Sequence, residues 1–260
     1  MRAADYSYFD APFLAFAHRG GAAYPPNLHR ENSQYAFDQA VALGYRYLET
    51  DVHASADGVL LAFHDNQLDR VTDCQGAIVD LPYEDIRRAR IGGRDPIPRL
   101  ADLLVRHQQA RFNIDAKSDA AVDLLVDTIR EYDAYDRVCV SSFSAARLHR
   151  LRRQLGNRVA SSASNRGVAL NRFAPALTRL INTPAAVLQM PIEHVVLGRT
   201  VRVLTPSLVA AAHRAGKQVH IWTVDDPETM NELIDAGVDG IFTDRVDTLK
   251  EVLQQRGLWT

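Results

Sequence analysis

Two short segments near the start of this 260-residue chain combine side chains that could do chemistry. The HRGG run at residues 18–21 follows an apolar stretch and offers the His18 imidazole for proton transfer and the Arg19 guanidinium for an anion. Further along, Glu49 and Asp51 stand two residues apart, so in a strand they share one face. Two such carboxylates repel each other unless a cation or a shared proton relieves them, and Mg²⁺ and Ca²⁺ prefer oxygen ligands. The pattern therefore indicates either a hard-cation site or an ion pair with an arginine.

Further polar groups follow two later apolar runs. His64 ends one of these runs, and Asp65 beside it could orient the imidazole or cap the next turn. In NIDAK, at residues 113–117, Asp115 and Lys117 would share a strand face and bring a carboxylate and an ammonium together. A basic group, a carboxylate and an imidazole at strand ends are typical of a site that binds and cleaves a phosphate ester.

Polar residues in the second half of the chain give a weaker chemical signal. Trp222 could line a pocket. His220 comes two residues earlier on the same strand face, further from the strand end, and is expected to be a hydrogen-bonded core histidine. The GVDGIFTD run at 237–244 is typical of a turn, a buried strand and a helix-capping aspartate, so we expect Asp244 to be structural. His53 continues the carboxylate face of its strand and is expected beyond the barrel rim.

Short β-rich runs alternate with amphipathic helical patterns along the chain, and each chemical segment lies at or near the end of a run. The predicted strands are Phe13–Ala17, Arg46–Val52, Arg111–Asp115, Arg137–Ser141, Asn157–Ala160, Ala185–Met190, Gln218–Thr223 and Gly240–Thr243. The predicted helices are Ser33–Leu43, with Asn32 or Ser33 as N-cap, Ala120–Arg130, Ala145–Leu155, Pro206–Ala215 and Pro227–Ala236. This alternation favours an α/β fold, a parallel (β/α)8 TIM barrel, over a doubly wound open sheet.

A long stretch after the second predicted strand, Ala54–Leu100, contains several glycines and prolines and no convincing barrel strand. A loop of that length is rare in a compact domain, so we predict a small insertion with its own short elements. Residues 1–260 otherwise indicate one domain, with no linker or repeat.

The composition excludes several classes of function. Apolar residues make up 47% of the chain, and 30 basic against 32 acidic residues give a formal charge of −2, which argues against a nucleic-acid-binding surface. The longest apolar runs are far shorter than the roughly 20 residues of a transmembrane helix. Two distant cysteines, Cys74 and Cys139, favour a reducing cytoplasm. The sequence indicates no particular oligomeric state.

The ordered set of motifs resembles the glycerophosphodiester phosphodiesterase family. The resemblance covers nearly the whole chain and rests on HRGG, ENS at 31–33, LETDVHASADGVLLAFHDNQLDRVTDCQG, NIDAK, IWTV and GVDGIFTD. It implies a TIM barrel that hydrolyses glycerophosphodiesters to glycerol 3-phosphate and an alcohol, with one divalent cation, Ca²⁺ or Mg²⁺, as cofactor.

The resemblance also implies roles for individual side chains, with Asp115 standing where the family more often has glutamate. The implied roles are an acid–base pair in His18 and His64, metal ligands in Glu49, Asp51 and Asp115, phosphate binding by Arg19 and Lys117, and a contact of Trp222 with the alcohol side of the substrate. The nucleophile is either water or a neighbouring hydroxyl of the glycerol, and we favour His18 as the base.

Two alternative functions stay open. The first is a phosphodiesterase that acts on lysophospholipid or sphingolipid headgroups, which would need an apolar collar around the mouth. Tyr24-Pro25-Pro26 and Ala169–Leu180 are the candidate segments, but neither is strongly apolar. The second is a barrel that binds a phosphorylated ligand without catalysis, against which the presence of both histidines argues.

Overall fold

Eight parallel strands form a closed ring in this computed structural model, which describes residues 1–173, 183–196 and 198–260. The barrel strands, β1 to β8 in chain order, are Leu14–His18, Tyr47–Ala54, Arg111–Ala116, Val138–Ser141, Ala160–Ser161, Val187–Met190, Gln218–Ile221 and Gly240–Thr243. Their order is β5-β4-β3-β2-β1-β8-β7-β6. The ring closes between β5 and β6 through the Ala186 amide, which donates to the Ser161 carbonyl at 3.0 Å. The predicted TIM barrel is confirmed and the open sheet is excluded.

Helices lie between the strands and cover the outside of the ring. They are α1 Gln34–Ala42, α2 Tyr83–Ile86, α3 Leu100–Arg106, α4 Ala120–Glu131, α5 Ala145–Leu155, α6 Asn165–Phe173, α7 Pro206–Arg214, α8 Pro227–Asp235 and α9 Val246–Gln255. The five predicted helices are present, and Ser33 is the N-cap of α1, because its hydroxyl accepts the Ala36 amide at 3.1 Å. In the described parts of the chain, no helix is both long and apolar enough to span a bilayer.

The predicted insertion follows β2 and has a core of its own. Leu60–Ala62 pairs antiparallel with the end of β2, and a two-stranded ribbon joins Arg90–Ile91 to Asp95–Pro96. Leu60 and Ala62 face the main core, whereas a second group of buried side chains from this segment forms a separate cluster, among them Leu61, Phe63, Leu68, Ile78, Ile86 and Ile91. The Phe63 amide donates to the Asp51 carbonyl at 2.9 Å, which fixes the next residue, His64, beside the carboxyl end of β2.

Successive side chains along each strand point alternately into and out of the ring, so the molecule has two cores. Outward residues such as Leu48 and Ile114 pack against the helices, while inward residues fill the ring. Phe16 and Phe242 stack inside the barrel with ring centroids 4.1 Å apart, and Tyr8 from the N-terminal segment lies in the same inner cluster. The amino-terminal end of the barrel is therefore closed by aromatic packing, and the opposite end is left for a site.

Candidate active site

A cavity of about 400 Å³ opens at the carboxyl ends of the strands. All eight residues that the sequence singled out contribute to its lining, namely His18, Arg19, Glu49, Asp51, His64, Asp115, Lys117 and Trp222. The parallel strands explain this convergence, because β1, β2 and β3 are neighbours whose carboxyl ends lie side by side.

Three carboxylates and a lysine form the buried centre of the cavity. Glu49, Asp51 and Asp115 are 5%, 2% and 6% exposed. The Lys117 ammonium lies 2.9 Å from Asp51 Oδ1 and 2.8 Å from Asp115 Oδ2, so it bridges the two aspartates. Burial alone would lower the pKa of Lys117, but the two aspartates raise it, which keeps the ammonium charged.

The carboxylates differ in their protonation because their partners differ. Burial, together with the neighbouring charge of Asp51, raises the pKa of Glu49 to about 7. Burial also raises the pKa of Asp115. Burial opposes ionisation of Asp51 as well, but Lys117 and Arg19 outweigh it and lower the pKa of Asp51. The three carboxylates of the centre therefore outnumber the two basic side chains beside them, Lys117 and Arg19.

The donor set fits a hard divalent cation by its chemistry. Asp51 Oδ2 and Asp115 Oδ1 are buried and accept no hydrogen bond, although Arg19 Nε lies 3.4 Å from the former. Carboxylate oxygens without hydrogen-bond partners suit Ca²⁺ or Mg²⁺. Within the described residues, no three acidic, histidine or cysteine side chains already stand in metal-binding geometry, and Lys117 instead lies between Asp51 and Asp115.

His18 is held between two carboxylates at the end of β1. A hydrogen bond of 2.8 Å joins its Nδ1 to Asp244 Oδ1, and its Nε2 lies 3.8 Å from Glu49 Oε2. Burial lowers the pKa of His18, but Glu49 and Asp244 raise it more, so the net shift is upward. The expectation that Asp244 caps a helix is wrong: α9 begins after Arg245, without a side-chain cap, and the Asp244 carboxylate orients the imidazole.

His64 has an equivalent arrangement on the insertion. Its Nδ1 lies 2.6 Å from Asp65 Oδ1, so of the two roles considered for Asp65, the structure has the orienting one. The His53 Nε2–H donates to the His64 carbonyl at 3.1 Å. As expected, His53 lies past the barrel rim: the pairing of β2 with β3 ends at Val52, and His53 pairs instead with Leu61 of the insertion, which leaves it 4% exposed.

An ion-pair chain that the sequence did not reveal links the insertion to β1. Arg70 donates from Nε to Asp65 at 2.5 Å and from Nη2 to Glu31 at 2.6 Å. Glu31 in turn accepts a hydrogen bond of 3.2 Å from Arg19 Nη1. Burial opposes ionisation of Glu31, yet Arg70 and Arg19 lower its pKa, so it stays charged. The only sequence signal for this chain of contacts was Glu31 within the ENS motif.

The backbone after His18 also constrains the site. Arg19 adopts a positive φ of 50°, which is uncommon for a residue with a side chain. Gly20 follows with φ +84°, and a Cβ there would lie 2.8 Å from Ala36 Cβ on α1. The absence of a side chain at Gly20 therefore lets the turn after β1 pack against α1.

Apolar side chains form the other side of the cavity. Phe143 and Trp222 meet edge to face with ring centroids 5.7 Å apart, and Ala169 and Phe173 of α6 also line the cavity. Of the candidate collar segments, Tyr24 packs against the main core, and residues 174–180 lie outside the described residues. Phe143 was not identified from sequence, because a single phenylalanine after a strand has no pattern.

Comparisons with known proteins show which family this chain resembles. Residues 18–248 match the model of the Glycerophosphoryl diester phosphodiesterase family. The chain is 40% identical to "Probable glycerophosphodiester phosphodiesterase 2" of Mycobacterium tuberculosis, over 95% of this chain and 92% of that protein. It is 29% identical to a glycerophosphodiester phosphodiesterase of Caldanaerobacter subterraneus subsp. tengcongensis, over 94% and 99%. A crystal structure of a glycerophosphodiester phosphodiesterase from Parabacteroides distasonis superposes with a TM-score of 0.77 at 26% identity, covering 95% of this chain and 99% of that one.

Proposed function

The chain belongs to the glycerophosphoryl diester phosphodiesterase family, and from that membership we propose how it works. It hydrolyses glycerophosphodiesters to glycerol 3-phosphate and an alcohol, with one divalent cation and the His18–His64 pair. The observation that carries this proposal is that two imidazoles, each bound to its own aspartate, line one cavity with three buried carboxylates.

Two cationic side chains are available for the phosphate. Arg19 and Lys117 both line the cavity and are paired with carboxylates of the centre. Positive groups that are already oriented stabilise the charge that develops on phosphate oxygens in the transition state. A divalent ion held by Glu49, Asp51 and Asp115 would supply further positive charge at the same oxygens.

The two imidazoles transfer the protons of the reaction. In the water route, one imidazole takes a proton from water as its oxygen bonds to phosphorus. The other gives a proton to the alcohol oxygen as its bond to phosphorus breaks, so the products are a phosphate monoester and a neutral alcohol. In the alternative route, a neighbouring glycerol hydroxyl gives its proton to one imidazole and bonds to phosphorus, while the bond to the alcohol breaks and that alcohol takes a proton from the other imidazole. Water then opens the cyclic phosphate to the same phosphate monoester. Asp244 and Asp65 keep the two rings oriented in either route.

A metal add-back assay tests this function. Release of glycerol 3-phosphate from glycerophosphocholine should stop after exhaustive chelation and return with Ca²⁺ or Mg²⁺. Glu49→Gln should abolish both the activity and the rise in thermal midpoint that the metal produces, since it removes a ligand charge. The matched control is Asp119→Asn, whose carboxylate is exposed and pairs with Arg147. Full activity after chelation would contradict the metal assignment.

The alternative of a barrel that only binds a phosphorylated ligand predicts a different result from the same assay. Such a protein would bind glycerol 3-phosphate but release none from glycerophosphocholine at any metal concentration. The paired imidazoles argue against it, because binding alone needs no proton-transfer groups. The cytoplasmic location suggested by the two cysteines stays a prediction.

A further inference from the structure

The cavity has two unlike sides. The catalytic groups come from β1, β2, β3 and the insertion. The other side comes from the segments that follow β4 to β7 and contains polar side chains, such as Ser142 and Asn165, and a group of large apolar ones. This group is here called the apolar wall: Phe143, Val168, Phe173, Val201 and Trp222. Because β4 to β7 lie across the ring from β1 and β2, the apolar wall faces the buried charges. A substrate whose phosphate lies at the charged centre therefore extends one of its two ester arms along this wall.

The outer part of the apolar wall is exposed to solvent. Phe143 is 57% exposed and Phe173 is 70% exposed, and both line the cavity. Elsewhere in the described residues, the large exposed apolar side chains are aliphatic, such as Val79 and Val105. Exposed phenyl rings gathered at a cavity mouth are typical of a surface that binds an apolar ligand.

Charge distinguishes between two kinds of apolar-wall ligand. Aromatic rings also bind quaternary ammonium groups, so a choline headgroup is the competing occupant. Among the described lining residues, however, the carboxylates are Glu49, Asp51 and Asp115, all at the catalytic centre. The charged or titratable groups next to the apolar wall are Arg172, His194 and Lys117, whose ammonium lies 5.2 Å from the centre of the Phe143 ring. None of the three offers a cation a counter-charge. A hydrocarbon chain suits this environment better than a cation does.

We infer that the preferred substrate is a monoacyl glycerophosphodiester, a lysophospholipid whose acyl chain lies along the apolar wall and leaves the cavity beside Phe143 and Phe173. Because Trp222 meets Phe143 edge to face in this wall, the inference places Trp222 on the glycerol side of the substrate and not on the alcohol side that the family resemblance implies. This inference rests on the proposed function, because the bond that is hydrolysed is the same. Water adds to phosphorus, the bond to the headgroup alcohol breaks, and the acyl chain stays on the glycerol phosphate product. Phe173 belongs to one of the two candidate collar segments, Ala169–Leu180, whereas Phe143 lies in the loop after β4, outside both.

The test compares two substrates that share headgroup and scissile bond. Choline release is measured from glycerophosphocholine and from a 1-acyl-glycerophosphocholine whose chain is short enough to remain monomeric. The acylated substrate is expected to have a kcat/KM about tenfold higher or more, because chain burial adds binding free energy. Phe173→Ser should lower the ratio of the two kcat/KM values severalfold. Val105→Ser, on α3 and outside the cavity lining, is the matched control and should leave the ratio unchanged.

Each other outcome has a distinct meaning. If neither substrate releases choline, with Ca²⁺ or with Mg²⁺, the proposed function itself fails. If glycerophosphocholine is hydrolysed as fast as or faster than the acylated substrate, the function stands and the acyl-chain inference is overturned. If Phe173→Ser slows both substrates equally, the wall binds the choline that they share, and the inference is again overturned.

Discussion

The two ends of the barrel use the same strands for opposite purposes. On β1, Phe16 and His18 both point into the ring, but Phe16 stacks on an aromatic partner and His18 lies among carboxylates. On β2, Tyr47 and Glu49 repeat this change, and Phe242 of β8 is followed two residues later by Asp244, just past the end of that strand. A step of two residues along a strand, about 7 Å, therefore separates two layers. The aromatic side chains that close the amino-terminal end of the barrel are here called the aromatic floor, and the charged side chains of the cavity are called the mouth.

This contrast shows how the fold tolerates a buried cluster of like charges. The aromatic floor closes the barrel below the site. The charged groups are therefore confined to the open end, where water and oppositely charged side chains can stabilise them. Burial of the aromatic floor stabilises the folded protein, whereas desolvation of the carboxylates at the mouth destabilises it. Changes at the mouth should therefore alter catalysis with little effect on stability, and changes in the floor should do the reverse.

The largest expected effect is on turnover, from either histidine of the mouth. His18→Ala and His64→Ala should each lower kcat by ~10²–10⁴-fold, because each removes a proton-transfer group. The free energy of unfolding should change by no more than about 1 kcal/mol, since neither ring is part of the aromatic floor. Steady-state kinetics and urea unfolding measure the two quantities. An active double variant would contradict the acid–base pair.

The next largest effect is on stability, from the floor. Phe16→Ala should lower the free energy of unfolding by about 3–5 kcal/mol, because it empties a fully buried ring site between Phe242 and Tyr47. At a temperature where the variant is folded, its kcat should stay within about threefold of the wild type. Phe16→Leu, which retains most of the volume, serves as the control. A loss of kcat comparable to that of His18→Ala would show that the two ends are not separable.

An intermediate effect is expected on the pH dependence of stability, from His220 in the floor. Burial lowers the pKa of His220 to about 3, from an ordinary value of 6.5. Below pH 6.5 the unfolded chain binds this proton and the native state does not, so stability falls as the pH drops from 6.5 towards 3. The slope from this group is at most about 1.4 kcal/mol per pH unit.

His220→Phe should remove that slope, which is measured as the difference between wild-type and variant unfolding free energies at several pH values. Above pH 7, the difference should be constant, because His220 is neutral in both states there. Parallel curves for the two proteins from pH 6.5 to 4 would mean that His220 is protonated in the native state.

The smallest effect should come from Arg70, which lies at the edge of the mouth. Arg70→Gln breaks its pairs with Asp65 and Glu31, so His64 and Arg19 are held less firmly. We expect kcat to fall about tenfold with KM within about twofold, as for loss of a transition-state interaction. Arg87→Gln, which breaks an exposed pair with Glu84 in the same insertion, is the control. Equal losses in both variants would contradict a positioning role for Arg70.

The sequence was sufficient for those parts of the molecule that depend on local pattern. Alternation of apolar residues located all eight barrel strands within a few residues, and the prolines and capping residues located five helices. The site residues on β1, β2 and β3 were predicted for the same reason, because a parallel barrel aligns strand ends. The helices α2, α3, α6 and α9 were not predicted. Of these, α2 and α3 have four and seven residues, too few to show a clear helical period.

Contacts between distant residues could not be predicted in this way. His18 and Asp244 are 226 positions apart and meet only because β1 pairs with β8. Arg70 is an ordinary charged residue until the insertion folds over β1 and brings it to Glu31. The apolar wall is likewise assembled from several loops, none of which is strongly apolar by itself.

The sequence by itself determined which residue types stand at the strand ends, and so which chemistry the mouth can perform. Periodicity is a local property that one chain segment carries alone, and the spacing of Glu49 and Asp51 is an example. Tertiary structure decided that Asp244 orients His18, that Lys117 bridges two carboxylates, and that phenyl rings face the charges. Those contacts depend on barrel closure and on the docking of the insertion, which bring together groups whose positions in the sequence are unrelated.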